Sequence, residues 1–144
     1  MLDNPPADEN GVVPHDHAQI EGADRIIRRV SFHHLVQKDD GTYRISSAVL
    51  SQSGDRHRGC SINIGKIIEH LGEAIEDYCR QRGDIIGAIS FSAADIRAKE
   101  AKVGYEPLEE DPAHGEIWGL KSKSKKRALL RQLEIEFSDY EISD

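Results

Sequence analysis

The chain has 144 residues, and its 19 Lys and Arg, 26 Asp and Glu and 7 His give a formal net charge of −7. Hydrophobic residues make up 38% and charged residues 31%, which is ordinary for a soluble protein. No apolar run approaches the ~18 residues of a membrane-spanning helix, and the first residues do not resemble a secretory signal. Cys60 and Cys79 form neither a disulfide framework nor a zinc-ligand pattern. We therefore expect one cytoplasmic domain with no metal site.

The negative charge is concentrated at the two ends of the chain. Residues 1–24 hold six acids and no Lys or Arg, and residues 134–144 hold five acids and no base. The remaining residues, 25–133, hold 19 bases and 15 acids and carry a charge of +4. The total charge argues against an anionic partner. The mildly basic charge of residues 25–133 is compatible with one.

The acidic N-terminal segment is predicted to be a disordered arm. Residues 1–24 contain three prolines, two glycines and few large apolar side chains, so burial cannot offset the entropy of ordering. Its His15-Asp16-His17 motif is interpreted as a solvated linker, with weak metal binding as the alternative. We place the folded domain at residues 25–137 and an acidic tail at residues 138–144.

The rest of the chain alternates strand and helix patterns. Strands are expected from Arg25 onward, after the Asp40-Gly41 turn, at residues 61–64 and 85–91, and at Ile135 and Phe137. The clearest helix covers residues 67–82 with one broad apolar face. Ser92 is expected to cap a short helix, and Ser122 or Ser124 a last one. This order predicts a single small α+β domain with a mixed or antiparallel sheet and two or three helices.

A basic segment near the C-terminus is the strongest local signal for a binding surface. It begins at Lys121, and three further cations can share one helix face with Arg131, because spacings of three and four stack: Lys123, Lys126 and Arg127. Such a face can neutralise phosphates. It can also complement an acidic protein or the chain's own acidic ends, or it can be merely solvated. Arg56 and Arg58, in a polar loop, are further candidate phosphate contacts.

A second signal is the segment Asp111-Pro112-Ala113-His114-Gly115, in which a constrained turn can hold an imidazole. Histidine titrates near neutral pH and can serve as a general acid or base. His33 and His34 lie on a predicted strand, whose adjacent side chains point to opposite faces. Only one of them can therefore join His114. Two imidazoles with lysine would suit metal-independent cleavage of a phosphodiester, although purely structural histidines are the simpler interpretation.

The serines near residue 46 have no accompanying catalytic motif. Ser46-Ser47-Ala48 is interpreted as small residues at a close backbone approach, because a nucleophilic serine needs an adjacent base and an oxyanion pocket. The chain has no Gly-x-Ser-x-Gly elbow, P-loop or dinucleotide-binding fingerprint. We accordingly predict no cofactor.

Several of these segments, in this order, resemble a family of small bacterial proteins of unknown function. They are the basic strand ending in His34, Asp40-Gly41, Ser46-Ser47-Ala48, Ser61-Ile62-Asn63 and the segment ending in Pro112-Ala113-His114. Together they cover most of residues 25–130. This chain has Leu50 where an aromatic residue often follows the Ser-Ser-Ala segment in that family. The resemblance implies a bacterial cytosolic setting and supplies no activity.

The first functional hypothesis is therefore a small bacterial cytosolic binding or accessory module. Its basic C-terminal helix would engage nucleic acid or an acidic protein surface. The alternative is a metal-independent enzyme that processes nucleic-acid or nucleotide phosphodiesters with His114 and either His33 or His34. A third possibility is a structural subunit of a protein complex.

Overall fold

The computed structural model describes residues 2–52 and 58–143. These residues form ten strands: β1 (Ala7–Asp8), β2 (Gly11–Val12), β3 (Arg25–Val30), β4 (Leu35–Gln37), β5 (Tyr43–Ile45), β6 (Cys60–Ile64), β7 (Gly87–Ser92), β8 (Lys102–Tyr105), β9 (His114–Trp118) and β10 (Glu134–Ser138). They also form four α-helices: α1 (Gly65–His70), α2 (Ile75–Arg80), α3 (Ala93–Arg97) and α4 (Lys123–Leu130). Two 3-10 helices cover Phe32–His34 and Ser47–Leu50.

One six-stranded sheet organises the protein, in the strand order β10-β7-β3-β6-β9-β8. Every neighbouring pair in this sheet is antiparallel. β1 with β2 and β4 with β5 form two small separate hairpins. Ile26 and Ile27, adjacent on β3, are both fully buried. Since adjacent residues of a strand point to opposite faces, both faces of the central sheet are covered.

The predicted fold class is wrong, because the structure is mostly sheet. Within the described residues, the longest of the four α-helices has eight residues. The clearest predicted helix, residues 67–82, is instead two helices, α1 and α2. Gly72 lies between them with φ +76°, a left-handed conformation that favours glycine and ends a helix. The apolar face predicted for this helix is buried at Ile67, Ile68, Tyr78 and Cys79. Leu71, the residue before the glycine, is exposed, so that part of the prediction is wrong.

The N-terminal segment is not a disordered arm, and that prediction is also wrong. Asp16 Oδ1 accepts the Val103 backbone N–H at 3.0 Å, and the His17 N–H donates to the Val103 carbonyl at 2.9 Å. His15 Nε2 accepts the Tyr105 N–H at 3.1 Å. The His15-Asp16-His17 motif thus covers the outer side of the edge strand β8, where the backbone groups of Val103 and Tyr105 would otherwise be unpaired. The fully buried side chain of Ile20 anchors the segment to the core.

Several local predictions are confirmed. The Ser92 hydroxyl accepts the Asp95 N–H at 3.1 Å at the start of α3, and Ser122 caps α4 in the same way through the Lys125 N–H.

The segment predicted as an acidic tail continues from β10, and Tyr140 packs its ring against Tyr43 at 5.1 Å. Among the described residues, no helix has the length and apolar character needed to cross a membrane.

Candidate functional site

A cleft of about 590 Å³ opens beside strands β6 and β9. Its walls combine three arginines with several acids and one histidine: Arg29, Arg58, Arg82, Glu106, Glu110, Asp111, His114 and Glu116. Ser61 of β6 also lines it. This is the cleft into which the Pro-Ala-His segment places its imidazole.

Strand β9 brings His114 and Glu116 to one face of the sheet, because residues two apart on a strand point the same way. Ser61 lies directly opposite Glu116 in the β6–β9 register. Gly115 lies between His114 and Glu116 on β9 and packs against the Gly104 backbone of β8. A Cβ at residue 115 would meet the Gly104 carbonyl oxygen. The strand pairing therefore fixes the relative positions of the imidazole and the carboxyl group.

The turn before β9 is held by a buried hydrogen-bond network centred on Asp111. Asp111 Oδ1 accepts hydrogen bonds from the Tyr78 hydroxyl at 2.5 Å and the Asn63 amide at 2.9 Å. Its other oxygen accepts from Arg29 at 3.3 Å. The Ala113 N–H donates to the Tyr78 hydroxyl oxygen at 3.0 Å. These contacts join the sheet, helix α2 and the turn, so His114 starts its strand from a fixed point.

The His114 ring is held at both nitrogens. Nδ1 lies 2.8 Å from the Glu106 carbonyl oxygen, which can only accept, so Nδ1 carries the hydrogen of that bond. Nε2 lies 3.2 Å from the Ser61 hydroxyl, which can donate to it. The Glu106 carboxylate is also near, with Oε1 3.4 Å from Nδ1.

Glu116 is the most unusual acid of the cleft. Its exposed fraction is 2%, and Oε2 has no hydrogen-bond partner among the described residues. Burial raises the pKa of this carboxyl group to about 7, and the negative charge of Glu106 adds to the effect. The charges of Arg58 and Arg28 and a backbone hydrogen bond from Gly59 act in the opposite direction. Acids perturbed by burial in a cleft are frequent at functional sites.

Glu106, His114 and Glu116 form one cluster in which each residue offers a ligand atom within 4.8 Å of the others. The sequence interpretation selected His114 but missed both glutamates and predicted no metal site. The alternation His114-Gly115-Glu116 on a strand was a signal that could have added Glu116. Glu106 follows β8 and reaches the cluster only through the β8–β9 pairing, which no local pattern reveals.

His33 and His34 lie elsewhere and do not line this cleft. Their rings are 4.1 Å apart, and His34 is buried. Burial lowers the pKa of His34 to about 4, assisted by the charges of Arg28 and His33. Arg28 bonds the Val49 carbonyl, whereas its neighbour Arg29 contacts Asp111 in the cleft. His33 and His34 lie in the 3-10 helix Phe32–His34 and not on a strand, so the predicted alternation of their side chains is wrong.

The predicted basic residues divide between two places. Lys121, Lys123, Arg127 and Arg131 are exposed in or beside α4, and Lys126 is half-buried there. Arg58 lines the cleft, and Arg56 lies outside the described residues. Among the predicted small residues, the Ser46 hydroxyl accepts the Ala48 N–H at 3.2 Å and so begins a 3-10 helix.

The acidic ends of the chain pair with other parts of the body. Their ion pairs are Asp16–Arg97 at 2.9 Å, Asp24–Lys66 at 2.7 Å, Glu134–Arg25 at 3.5 Å and Asp139–Arg80 at 2.7 Å. Within residues 2–52 and 58–143, the ion pair made by α4 joins Lys125 to Glu100. The basic face of α4 is therefore not covered by the described parts of the acidic ends.

Comparison with known proteins supplies no relative. The chain matches no protein-family model, and it is not significantly similar to any curated protein or solved structure. The resemblance to a small bacterial family thus stays a prediction, and function has to be argued from the chain's own geometry.

Proposed function

We propose that this protein is a small bacterial cytosolic module that binds nucleic acid through the exposed face of α4. The observation that carries the proposal is a row of three cations, Lys123, Arg127 and Arg131. They are spaced four residues apart, exposed, and without an acidic partner among the described residues. A row of this kind can contact successive phosphates and release their counterions.

The composition of the α4 surface favours phosphates over an acidic protein. Protein interfaces generally have an apolar centre. The large exposed apolar side chains of the described residues lie elsewhere, at Phe32, Val36, Leu71, Leu108, Ile135 and Tyr140. Leu129, on α4, is fully buried. The surface thus offers charge without apolar contact, which suits sequence-independent binding to a phosphate backbone. The cytosolic setting is supported by two buried, free cysteines.

The geometry does not favour the alternative hypothesis, a phosphodiester-processing enzyme with two catalytic imidazoles. It requires His33 or His34 near His114, and the structure brings neither into the cleft.

The test is fluorescence anisotropy with a labelled 20-base-pair DNA duplex over a salt series. Lys123→Ala/Arg127→Ala should weaken binding and reduce the slope of log K against log salt by about 1.8, which is ~0.9 per lost phosphate contact. The control Arg44→Ala/Lys102→Ala removes the same charge from exposed positions elsewhere and should leave the slope unchanged.

Three outcomes would contradict the proposal: no duplex binding by the parent protein, equal loss in both double variants, or loss in the control alone. Poly-glutamate serves as the probe for an acidic protein. If it competes as well as DNA at equal charge, the partner is an acidic protein surface and not nucleic acid.

A further inference from the structure

We infer that Glu106, His114 and Glu116 bind a divalent transition-metal ion in the cleft. The inference is independent of the nucleic-acid proposal, since no residue of α4 takes part. The three side chains offer one imidazole and two carboxylates, with one ligand atom from each lying within 4.8 Å of the others.

The unpartnered oxygen of Glu116 points to a ligand. A buried carboxylate oxygen normally accepts hydrogen bonds, because an unsatisfied one costs free energy. Glu116 Oε2 has no such partner among the described residues, although the side chain lines the cleft and its exposed fraction is 2%. Glu106 adds a second negative charge beside it. A bound cation would satisfy this oxygen and offset the repulsion between the two acids.

The His114 contacts match those of a metal-binding histidine. Such residues usually donate one ring N–H to a carbonyl or carboxylate, which orients the ring and leaves the other nitrogen as the ligand. His114 does this with the Glu106 carbonyl at 2.8 Å. Nε2 then carries the lone pair and faces the Ser61 hydroxyl at 3.2 Å, a contact that a metal ion can replace.

The spacing needs only a small adjustment to suit one ion. Two ligand atoms that are each about 2.0–2.2 Å from a metal lie at most roughly 4.4 Å apart. The present limit of 4.8 Å, which holds for one of the two His114 nitrogens, exceeds this by a few tenths of an ångström. The Glu106 carboxylate now lies beside Nδ1, with Oε1 3.4 Å away, so it must turn toward Nε2 to share an ion with that nitrogen. Glu106 can move to close the difference, since its carboxylate is partly exposed whereas β9 is fixed by its two neighbouring strands.

The donor set selects the class of ion. One imidazole with two carboxylates suits Mn²⁺, Fe²⁺ or Zn²⁺, whereas Mg²⁺ and Ca²⁺ favour oxygen ligands alone. Three protein ligands leave coordination positions open, and these would face the cleft. Arg58 on the cleft wall would favour an anionic oxygen ligand at an open position. The structure thus provides both an entry path and room for an exchangeable ligand.

Isothermal titration of the chelator-treated full chain with Mn²⁺ tests the inference, with electron paramagnetic resonance as a count of free ion. We expect one Mn²⁺ per chain. Glu116→Gln keeps the side-chain shape and should weaken binding at least ~10-fold, the loss typical even of outer-shell changes. Glu106→Gln should weaken binding by a similar factor. Because Glu106 is partly exposed, this second variant tests the site even if the buried Glu116→Gln variant does not fold. Circular dichroism verifies the fold of each.

Glu110→Gln is the matched control, since Glu110 lines the same cleft but is not in the cluster. Its Mn²⁺ affinity should stay within about twofold of the parent. The inference is overturned if the parent binds no Mn²⁺ in a 1:1 ratio. It is equally overturned if folded Glu106→Gln retains the parent affinity, or if all three variants lose affinity alike.

Discussion

The Tyr78 hydroxyl donates a 2.5 Å hydrogen bond to Asp111 Oδ1, and both side chains are buried. The same hydroxyl accepts the Ala113 N–H at 3.0 Å. Arg82 stacks over the Tyr78 ring, with its guanidinium carbon 3.5 Å from the ring centroid. Burial and the hydrogen bond to Asp111 both raise the pKa of Tyr78, so the hydroxyl remains a donor. One phenol thus ties α2 to the turn that positions His114.

Tyr78→Phe is expected to destabilise the protein by about 1–3 kcal/mol. The change leaves the ring but removes the hydroxyl, so a buried carboxylate loses a donor and the Ala113 N–H loses its acceptor. Urea unfolding followed by circular dichroism measures the change in the free energy of unfolding.

Tyr43→Phe is the control for this variant. Tyr43 is half-buried and packs its ring against Phe32 and Tyr140, a packing that phenylalanine preserves. We expect a change below about 0.5 kcal/mol, as for most surface substitutions. Equal effects of the two variants would show that the Tyr78–Asp111 bond does not contribute to stability.

Gly115→Ala should destabilise the protein more than Gly72→Ala, although neither glycine can be replaced freely. A Cβ at Gly115 would meet the Gly104 carbonyl oxygen and lie 2.9 Å from Ile62 Cδ1, so β8 and β9 must separate. At Gly72 nothing lies within 4 Å, and the cost is the strain of φ +76° alone. We expect about 1 kcal/mol at Gly72 and more than about 2 kcal/mol at Gly115.

Urea midpoints of the two glycine variants give this comparison directly. A Gly115→Ala protein as stable as Gly72→Ala would mean that β8 is not packed tightly on β9. Because His114 and Glu116 flank Gly115, the same variant is also expected to weaken Mn²⁺ binding, whereas Gly72→Ala should not.

Elements specified by neighbouring residues could be predicted from the sequence, and those specified by distant residues could not. Ser92 and Ser122 cap helices by bonding N–H groups three residues away, so the signal is local. The N-terminal segment is ordered by hydrogen bonds that Asp16 and His15 accept from β8 N–H groups 87 and 90 residues later. These are polar contacts with an edge strand. A prediction of order that counts only apolar residues does not include them.

The residues of the candidate site also divide into those that their sequence neighbours predict and those that distant contacts position. His114 could be selected because proline and glycine flank it within its own segment. Glu116 could have been added from the period of a strand. Glu106 could not, because its place depends on how β8 pairs with β9 and on the turn held by Asp111. The raised pKa of Glu116 follows from burial, which is a property of the folded protein.

His34 should make the protein less stable as the pH falls from 7 to about 4. An unfolded histidine titrates near 6.5, whereas burial, with Arg28 and His33 nearby, lowers the pKa of folded His34 to about 4. Between these values the unfolded chain binds the additional proton. The contribution to stability is therefore complete above pH 6.5 and is lost as the pH falls toward 4. The full loss is about 3 kcal/mol.

His34→Asn isolates this effect, because asparagine does not titrate and its side-chain oxygen can accept the Ser31 N–H that Nδ1 now accepts. The free energy of unfolding is measured from pH 7.5 to pH 4.5 for both proteins. Carboxylates make both curves fall, so the informative quantity is the difference between wild type and variant, which should shrink by about 2 kcal/mol toward pH 4.5. The control His70→Asn removes an exposed histidine and should give a constant difference. If the His34→Asn difference is also constant, His34 binds its proton equally well in the folded and unfolded states.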